Sequence, residues 1–433
     1  MDQDDSKHHR VVPKLASLAV LLLATVVMYI SQGLTHTLVP LRLASGSASG
    51  LVTACYFVGF SLGAFLGPQL IRRVGHIRAF GGLLGIVILA VLSLALVDAL
   101  WFWGLIRLLH GASIAAAAIV VEAWLVSASG PEARGRVLAV YTLAVYGGIG
   151  IGPLFLTILP EGADTLWQPF SVAAIILCLA AVPVLFWRTD APPIPTHSPA
   201  SWRRITSVSR VSLATSATAG FSGGALTALG PIYAVSLGLD MAGVALIMSV
   251  PIILGLVLQW PVGTLSDRYE RRRVMSSATL VSASCALALI WGQSLGLAAV
   301  YCLLAGLHGI LYALYPLALA HANDRVGTPT DTADIGAGLL LSYGIGAAAG
   351  PAVAGGVALA IGPTSGFMVA TAALALTGVY VLVDIRRHAQ VAIVDKGAYT
   401  NLPSSTPEVF ELEPRTVPEP VIEEEAGVAQ ADK

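Results

Sequence analysis

Apolar residues along this chain come in long unbroken runs, with neither the strict alternation of a half-buried strand nor the one-sided stripe of a soluble helix. Twelve runs stand out: residues 15–39, 49–71, 79–97, 100–125, 136–158, 168–187, 209–234, 242–265, 273–292, 296–320, 335–358 and 364–383. Each is close to or above the roughly 20 residues that carry an α-helix across a hydrocarbon core about 30 Å thick. Charge crowds into the turns between them. The turn Gly263-Thr-Leu-Ser-Asp267-Arg268-Tyr-Glu-Arg271-Arg272-Arg273 is too charged to lie in hydrocarbon, so it is aqueous. The pattern predicts an all-α polytopic membrane protein of twelve spans. Its parts are a polar N-terminus (1–14), six spans (15–187), a loop (188–208) holding Pro192, Pro193 and Pro195, six more spans (209–383), and a tail (384–433). The tail holds five prolines from Pro403 to Pro420 and the run Glu423-Glu424-Glu425, and is expected to be disordered because it buries too little apolar surface to fold alone.

Composition agrees. Only 11% of the 433 residues are charged, against about 25% in a soluble protein, too few to clothe a globule of this size. The net charge of −1 says less than its distribution. All but two of the 24 Lys and Arg fall on the side of the membrane that holds Asp267. Arg42 alone lies in a loop on the other side, and Arg107 alone inside a span. That asymmetry marks the Asp267 side, and with it both termini, as cytoplasmic. The four cysteines stand singly in apolar runs, so neither a disulfide framework nor a metal site is expected. The chain has no phosphate-binding Gly-Lys-Ser/Thr loop and no His-Glu-x-x-His, so no ATP drive, cofactor or enzyme activity is expected. Gly220-Phe-Ser222-Gly-Gly224 matches the Gly-x-Ser-x-Gly of serine hydrolases, but it lies inside a span, where small residues serve helix packing.

The two sets of six spans repeat. Tyr146-Gly-Gly148-Ile-Gly150-Ile-Gly152-Pro153 in span 5 parallels Tyr343-Gly344-Ile-Gly346-Ala-Ala-Ala-Gly350-Pro351 in span 11. His110-Gly111 in span 4 parallels His308-Gly309 in span 10. A parallel repeat of two six-helix, pseudo-symmetric bundles predicts alternating access at their shared interface. Gly152, Pro153, Gly350 and Pro351 are expected to pack or bend spans 5 and 11 there.

Several motifs resemble signatures of the major facilitator superfamily: the loop from Gly263 through Asp267-Arg268 to Arg272, the Arg107-Leu-Leu-His110-Gly111 of span 4, and the Gly-Pro of span 5. The resemblance covers residues 15 to 385. Thr37-Leu-Val-Pro-Leu41, Val121-Glu122, Gln259-Trp-Pro-Val-Gly263 and Leu340-Leu-Ser-Tyr343 look like the YcaD-like group of its bacterial carriers. The departures are Pro68 and Arg72 where the first loop motif has Gly and Asp, Glu270 where the second has a later Gly, and Leu154-Phe155 where drug/proton antiporters continue into glycines.

The resemblance implies a secondary transporter in a bacterial cytoplasmic membrane, with spans 1, 4, 7 and 10 lining a central cavity. A small organic solute, the proton and the lipid bilayer are its expected partners, with no nucleic acid and a monomeric chain. Span 1 carries Tyr29, Gln32 and His36 on one helical face, span 4 carries Arg107 and His110, and span 10 carries His308, Tyr312 and Tyr315 on one face. These eight are the candidate cavity residues. Arg107 stays charged at any working pH, so it serves to hold an anion or to bias a nearby acid; in the family the matching Arg is tied to proton coupling. Its alternative is to snorkel to the membrane surface. Glu122, about 22 Å further along span 4, is the candidate proton carrier, with a solvated interfacial carboxylate as its alternative. Asp267 is expected to cap a helix and latch the cytoplasmic side by pairing with an Arg across the two halves, with Gly263, Arg268, Arg272, Arg72 and Arg73 around it. The reading that follows is a proton-coupled carrier with export favoured over import. Its alternatives are a uniporter working by facilitated diffusion and a transporter-like receptor or scaffold without turnover.

Overall fold

A computed structural model describes residues 5–129, 133–159, 167–186, 209–325, 329–388 and 402–404. The central loop expected at 188–208 and most of the tail lie outside the described residues.

Helix follows the apolar runs closely. The long helices are α1 (Asp5–Leu43), α2 (Gly46–Val74), α3 (His76–Leu96), α4 (Leu100–Ala128), α5 (Arg134–Ile151), α6 (Trp167–Phe186), α7 (Arg210–Ser236), α8 (Met241–Arg268), α9 (Arg271–Leu289), α10 (Leu297–Asn323), α11 (Pro329–Ile361) and α12 (Ser365–Arg387). Nine stretches of the described residues are long and apolar enough to cross a membrane on their own, and one of them, Ile335–Arg387, contains both α11 and α12. Two of the twelve, α7 and α9, fall short individually. The first is rich in Ser, Thr and Gly, and the second opens on three arginines and holds four serines. Many of these hydroxyls are satisfied inside the protein, as Ser216 donates to the Leu339 carbonyl at 2.7 Å and Ser276 to that of Gly378 at 2.9 Å. Neighbouring helices therefore compensate for what the sequence of each span lacks in apolar character.

Helix ends are set by local chemistry. Asp240 caps α8 by accepting from the Gly243 amide at 2.8 Å, and Ser209 accepts from Ser212 at the start of α7. Gly75, at φ 82°, makes the tight connection between α2 and α3, a left-handed turn in which a side chain would be strained. Pro153 tightens the end of α5 into a 3-10 turn, Gly152–Ile158, whereas its counterpart Pro351 stays within α11.

The internal repeat is a repeat of backbone contacts. In the N-terminal half, Gly148 of α5 lies against Val26 and Ile30 of α1, Gly152 against Ile30 and Leu34, and Gly33 of α1 against Ile149. In the C-terminal half, Gly346 of α11 lies against Ala217 and Phe221 of α7, Gly350 against Phe221, and Gly224 of α7 against Ala347. A Cβ at any of these glycines would run into the backbone of the facing helix. Likewise Gly111 of α4 sits on Tyr56 and Phe60 of α2, and Gly309 of α10 on Gly255 and Leu258 of α8. Gly220, from the hydrolase-like pattern, abuts the Tyr343 carbonyl, so the pattern is helix packing and not a nucleophile turn.

The halves meet closely at the end of the bundle away from the chain termini. There Gly50 of α2 lies against Pro351 and Gly355 of α11, Gly46 against Ala358, and the Ser49 hydroxyl donates to the Ala228 carbonyl of α7 at 2.6 Å. A second seam joins α5 to α8 through Gly150 and the side chains of Ile252 and Ile253.

Candidate functional site: a cavity between the halves

Between the two halves lies a cavity of ≈ 170 Å³, walled by both. From the N-terminal half come Tyr29, Gln32 and His36 of α1, Tyr56, Phe57 and Phe60 of α2, and Tyr146 of α5. From the C-terminal half come Thr227 of α7, Met248 of α8, His308 and Tyr312 of α10, and Tyr343 of α11. Tyr146 and Tyr312 stack across the divide at 4.4 Å, and His308 meets Tyr312 edge-on. Pro403 and Ser404 of the tail also reach this wall. Ser404 hydrogen-bonds Tyr146 and Tyr343, and the neighbouring Leu402 is 1% exposed, joined to the apolar core. These three tail residues are thus packed into the protein.

Of the eight candidate cavity residues, Tyr29, Gln32, His36, His308 and Tyr312 stand on the wall. Arg107, His110 and Tyr315 do not; they form a layer behind it. Tyr315 is buried edge-on against Tyr343. Arg107 is 1% exposed, so it does not snorkel. Its guanidinium is held by neutral groups: Nη1 donates to His110 Nδ1 and Nη2 to His36 Nδ1, both at 3.1 Å, while the Tyr56 ring faces Cζ at 4.4 Å. Beyond His110, Nε2 reaches Gln32 Oε1 at 2.7 Å, and Gln32 Nε2 donates to the Tyr56 hydroxyl at 3.0 Å. A helix-face argument from α1 alone puts Gln32 and His36 together, but the link to Tyr56 needs α2 in place.

Glu122 is fully buried, so its solvated alternative does not hold. Tyr141 of α5 donates to Glu122 Oε1 at 2.5 Å, and Tyr141 hydrogen-bonds Tyr29. The carboxylate is therefore connected to the cavity wall by two hydroxyls.

Asp267 lies in the last turn of α8 and not at a helix N-terminus. One ion pair of Asp267 is with Arg271 of the same half, at 3.7 Å. The buried pairs here are ones the sequence did not single out: Arg271 with Asp324 at 2.6 Å, and Arg272 with Glu270 at 2.7 Å and Asp384 at 3.0 Å. They tie α9 to the ends of α10 and α12 within the C-terminal half. Arg268, Arg72 and Arg73 are exposed, and Gly263 is buried. Among the described residues no group of His, Cys, Asp or Glu side chains is placed to hold a metal ion.

Sequence reasoning missed Tyr56, Phe57 and Phe60. Their signal was an aromatic cluster in a span otherwise made of small and aliphatic residues. Tyr146 and Tyr343 were visible, each just before the repeated glycines, but as markers of packing rather than of a wall.

Two repeated six-helix bundles with a polar, aromatic cavity at their seam define a multi-pass membrane transporter. Comparison with known proteins agrees: the sequence profile described as Major Facilitator Superfamily matches residues 21–339 and again 211–417. The chain belongs to the major facilitator superfamily. It is 31% identical over 347 residues to an uncharacterized MFS-type transporter of Enterobacter sp. (strain 638), covering 78% of this chain and 87% of that protein. It is 29% identical over 353 residues to the uncharacterized MFS-type transporter YcaD of Escherichia fergusonii, with the same coverage. Among solved structures, a bacterial homolog of the human lysosomal transporter Spinster superposes with a TM-score of 0.71 at 14% identity, over 88% of this chain and 97% of that one. The nucleoside transporter NupG gives 0.68 at 13%, over 86% and 100%. These likenesses concern the fold.

Proposed function

We propose that this carrier moves a small organic solute by alternating access, coupled to the proton and with export favoured over import. It sits in a bacterial cytoplasmic membrane with both termini inside. The observation that carries the reading is the cavity at the seam of the two halves, walled by residues of both. Such a seam is where one repeat rocks against the other in secondary transporters. The end sealed by Gly50 and Ser49 is then the outer one, and this state is closed to the outside. The run of hydroxyls from Tyr29 through Tyr141 to Glu122 supports proton coupling, because it links a buried carboxylate to the space the solute occupies. Gly152-Pro153 opens the motif of drug/proton antiporters, but Leu154-Phe155 depart from its paired glycines, which weakens the support this motif gives to export.

The test is solute flux in proteoliposomes with and without an imposed pH gradient. The gradient should drive accumulation in the wild type. In Glu122→Gln that accumulation should vanish while solute counterflow persists. Equal flux with and without the gradient in the wild type removes the coupling and leaves facilitated diffusion. Binding without counterflow removes transport altogether.

A further inference from the structure

We infer that the cavity is built to receive an anionic group, a carboxylate or an oxyanion of sulfur or phosphorus, on its α1–α2 wall. The inference deepens the carrier reading and rests on it only in calling the occupant a transported solute.

The direction of each hydrogen bond around Arg107 is fixed by its donors. A guanidinium has five N–H donors and no acceptor. His36 Nδ1 and His110 Nδ1, both bonded to Arg107, must therefore each offer a lone pair. Each ring then carries its hydrogen on Nε2. At His110 that hydrogen goes to Gln32 Oε1, which sets the orientation of the amide. The Gln32 amide nitrogen then donates to the Tyr56 hydroxyl, so that oxygen is already an acceptor and its own hydrogen remains to be given. His36 and Tyr56 both stand on the cavity wall. Two chains thus start at one buried cation and end at the cavity as donors, His36 Nε2–H and Tyr56 O–H.

Charge points the same way. Arg107 is buried, the partners it shows are two imidazoles and an aromatic face, and no carboxylate is among them. A full charge inside a membrane bundle is costly without an opposite charge. An occupant bringing a negative group to the two relayed donors supplies it. The opposite wall has the reverse polarity. His308 Nδ1 bonds the Leu304 carbonyl at 2.8 Å, and a carbonyl only accepts, so the hydrogen lies on Nδ1 and Nε2 is left as an acceptor. Between these walls lie Phe57, Phe60 and the stacked Tyr146 and Tyr312. The occupant is therefore an acid with a flat or apolar body and a hydrogen-bond donor at its far end. The cavity is smaller than the roughly 300–1,000 Å³ of sites for drug-sized ligands, which limits the acid to a small one in this conformation. An inside-negative membrane potential drives such an anion outward, in keeping with export.

The test measures binding to the full-length protein in lipid nanodiscs by calorimetry. Its probes are benzoate, benzenesulfonate and phenylphosphonate, set against benzamide and benzylamine. At least one anion should bind tenfold or more tightly than benzamide, because hydrogen bonds to charged groups are about twice as strong as neutral ones. The ranking of the three anions tells carboxylate from sulfur or phosphorus oxyanion. Tyr56→Phe keeps the ring under the guanidinium and removes one donor; it should weaken the anion about tenfold and leave benzamide unchanged. Arg107→Gln should abolish the anion preference, with the melting temperature reporting whether the variant folds. Nitrogen-15 NMR of histidine-labelled protein gives a readout free of any ligand: His36 and His110 should be Nε2–H tautomers and His308 the Nδ1–H tautomer. Equal binding of acid and amide, a preference for benzylamine, no binding of any acid, or an Nδ1–H tautomer at His36 overturns the inference. A neutral solute driven by the proton gradient would do so too, yet leave the carrier reading standing. Acids that bind without counterflow would sink the carrier reading and leave the anion site.

Discussion

The ion pair between Arg271 and Asp324 separates two accounts of the charged turn after α8. One is a latch that opens and closes between the halves; the other is a fixed weld inside the C-terminal half. Both side chains are almost fully buried, 1% and 3% exposed, and they meet at 2.6 Å. Replacing Asp324 by Ala takes away the close carboxylate and leaves partners that include the Ser266 hydroxyl at 2.9 Å and Asp267 at 3.7 Å, the latter 42% exposed. Losing one member of a buried pair costs about 3–5 kcal/mol, because the other charge stays behind in a low-dielectric site. The exposed Asp267 recovers little, since such pairs are worth about 0–1 kcal/mol. Asp324→Ala should therefore lower stability by roughly 2–4 kcal/mol. Replacing both residues by apolar ones, Arg271→Met with Asp324→Leu, should cost less than either single change, as apolar replacements of buried pairs are often neutral. Unfolding by denaturant in detergent micelles, run as a double-mutant cycle, measures the coupling. If both single variants lose less than 1 kcal/mol, or if the double variant loses the sum of the two, the weld argument fails. If stability holds while the balance between inward and outward states moves, as read by cysteine labelling from each side, the turn is a latch after all.

Other outcomes follow from the same geometry. Removing residues 389–433 takes Pro403 and Ser404 off the cavity wall, so benzoate binding measured by calorimetry should tighten; unchanged affinity would show that the tail does not compete for the space. Gly350→Leu should abolish recovery of folded protein, because its side chain would collide with the Phe221 carbonyl, whereas Gly356→Ala, with nothing within 4 Å, should melt within a degree or two of the wild type. Gly50→Val should force α2 away from Pro351 and Gly355 at the sealed end. A cysteine placed at Phe57 should then react faster with a membrane-impermeant maleimide added from outside; an unchanged rate would mean that the seal lies elsewhere.

Much of this protein is legible in its amino acids. Run length and the all-round apolar character of each run specify the spans to within a few residues, because a helix in lipid has to satisfy its backbone internally and match the bilayer thickness. The repeat of Gly148 and Gly152 as Gly346 and Gly350 marks where backbones touch, since only glycine permits that approach. Arg107 and Glu122 announce themselves by the cost of charge in a span. The arrangement of the site was decided by packing. The polar faces of α1 and α10 marked the side that turns to the seam, but spacing within α4 could not put Arg107 behind the wall and His36 on it. Tyr56 meets Gln32, Arg271 meets Asp324 and Arg272 meets Asp384 only after separate helices have docked, and no local period relates residues so far apart along the chain. For the same reason the pairs of Arg271 with Asp324 and of Arg272 with Asp384 could not be read from the turn itself: they were set by how α9 leans on α10 and α12, a long-range choice made by the assembled bundle.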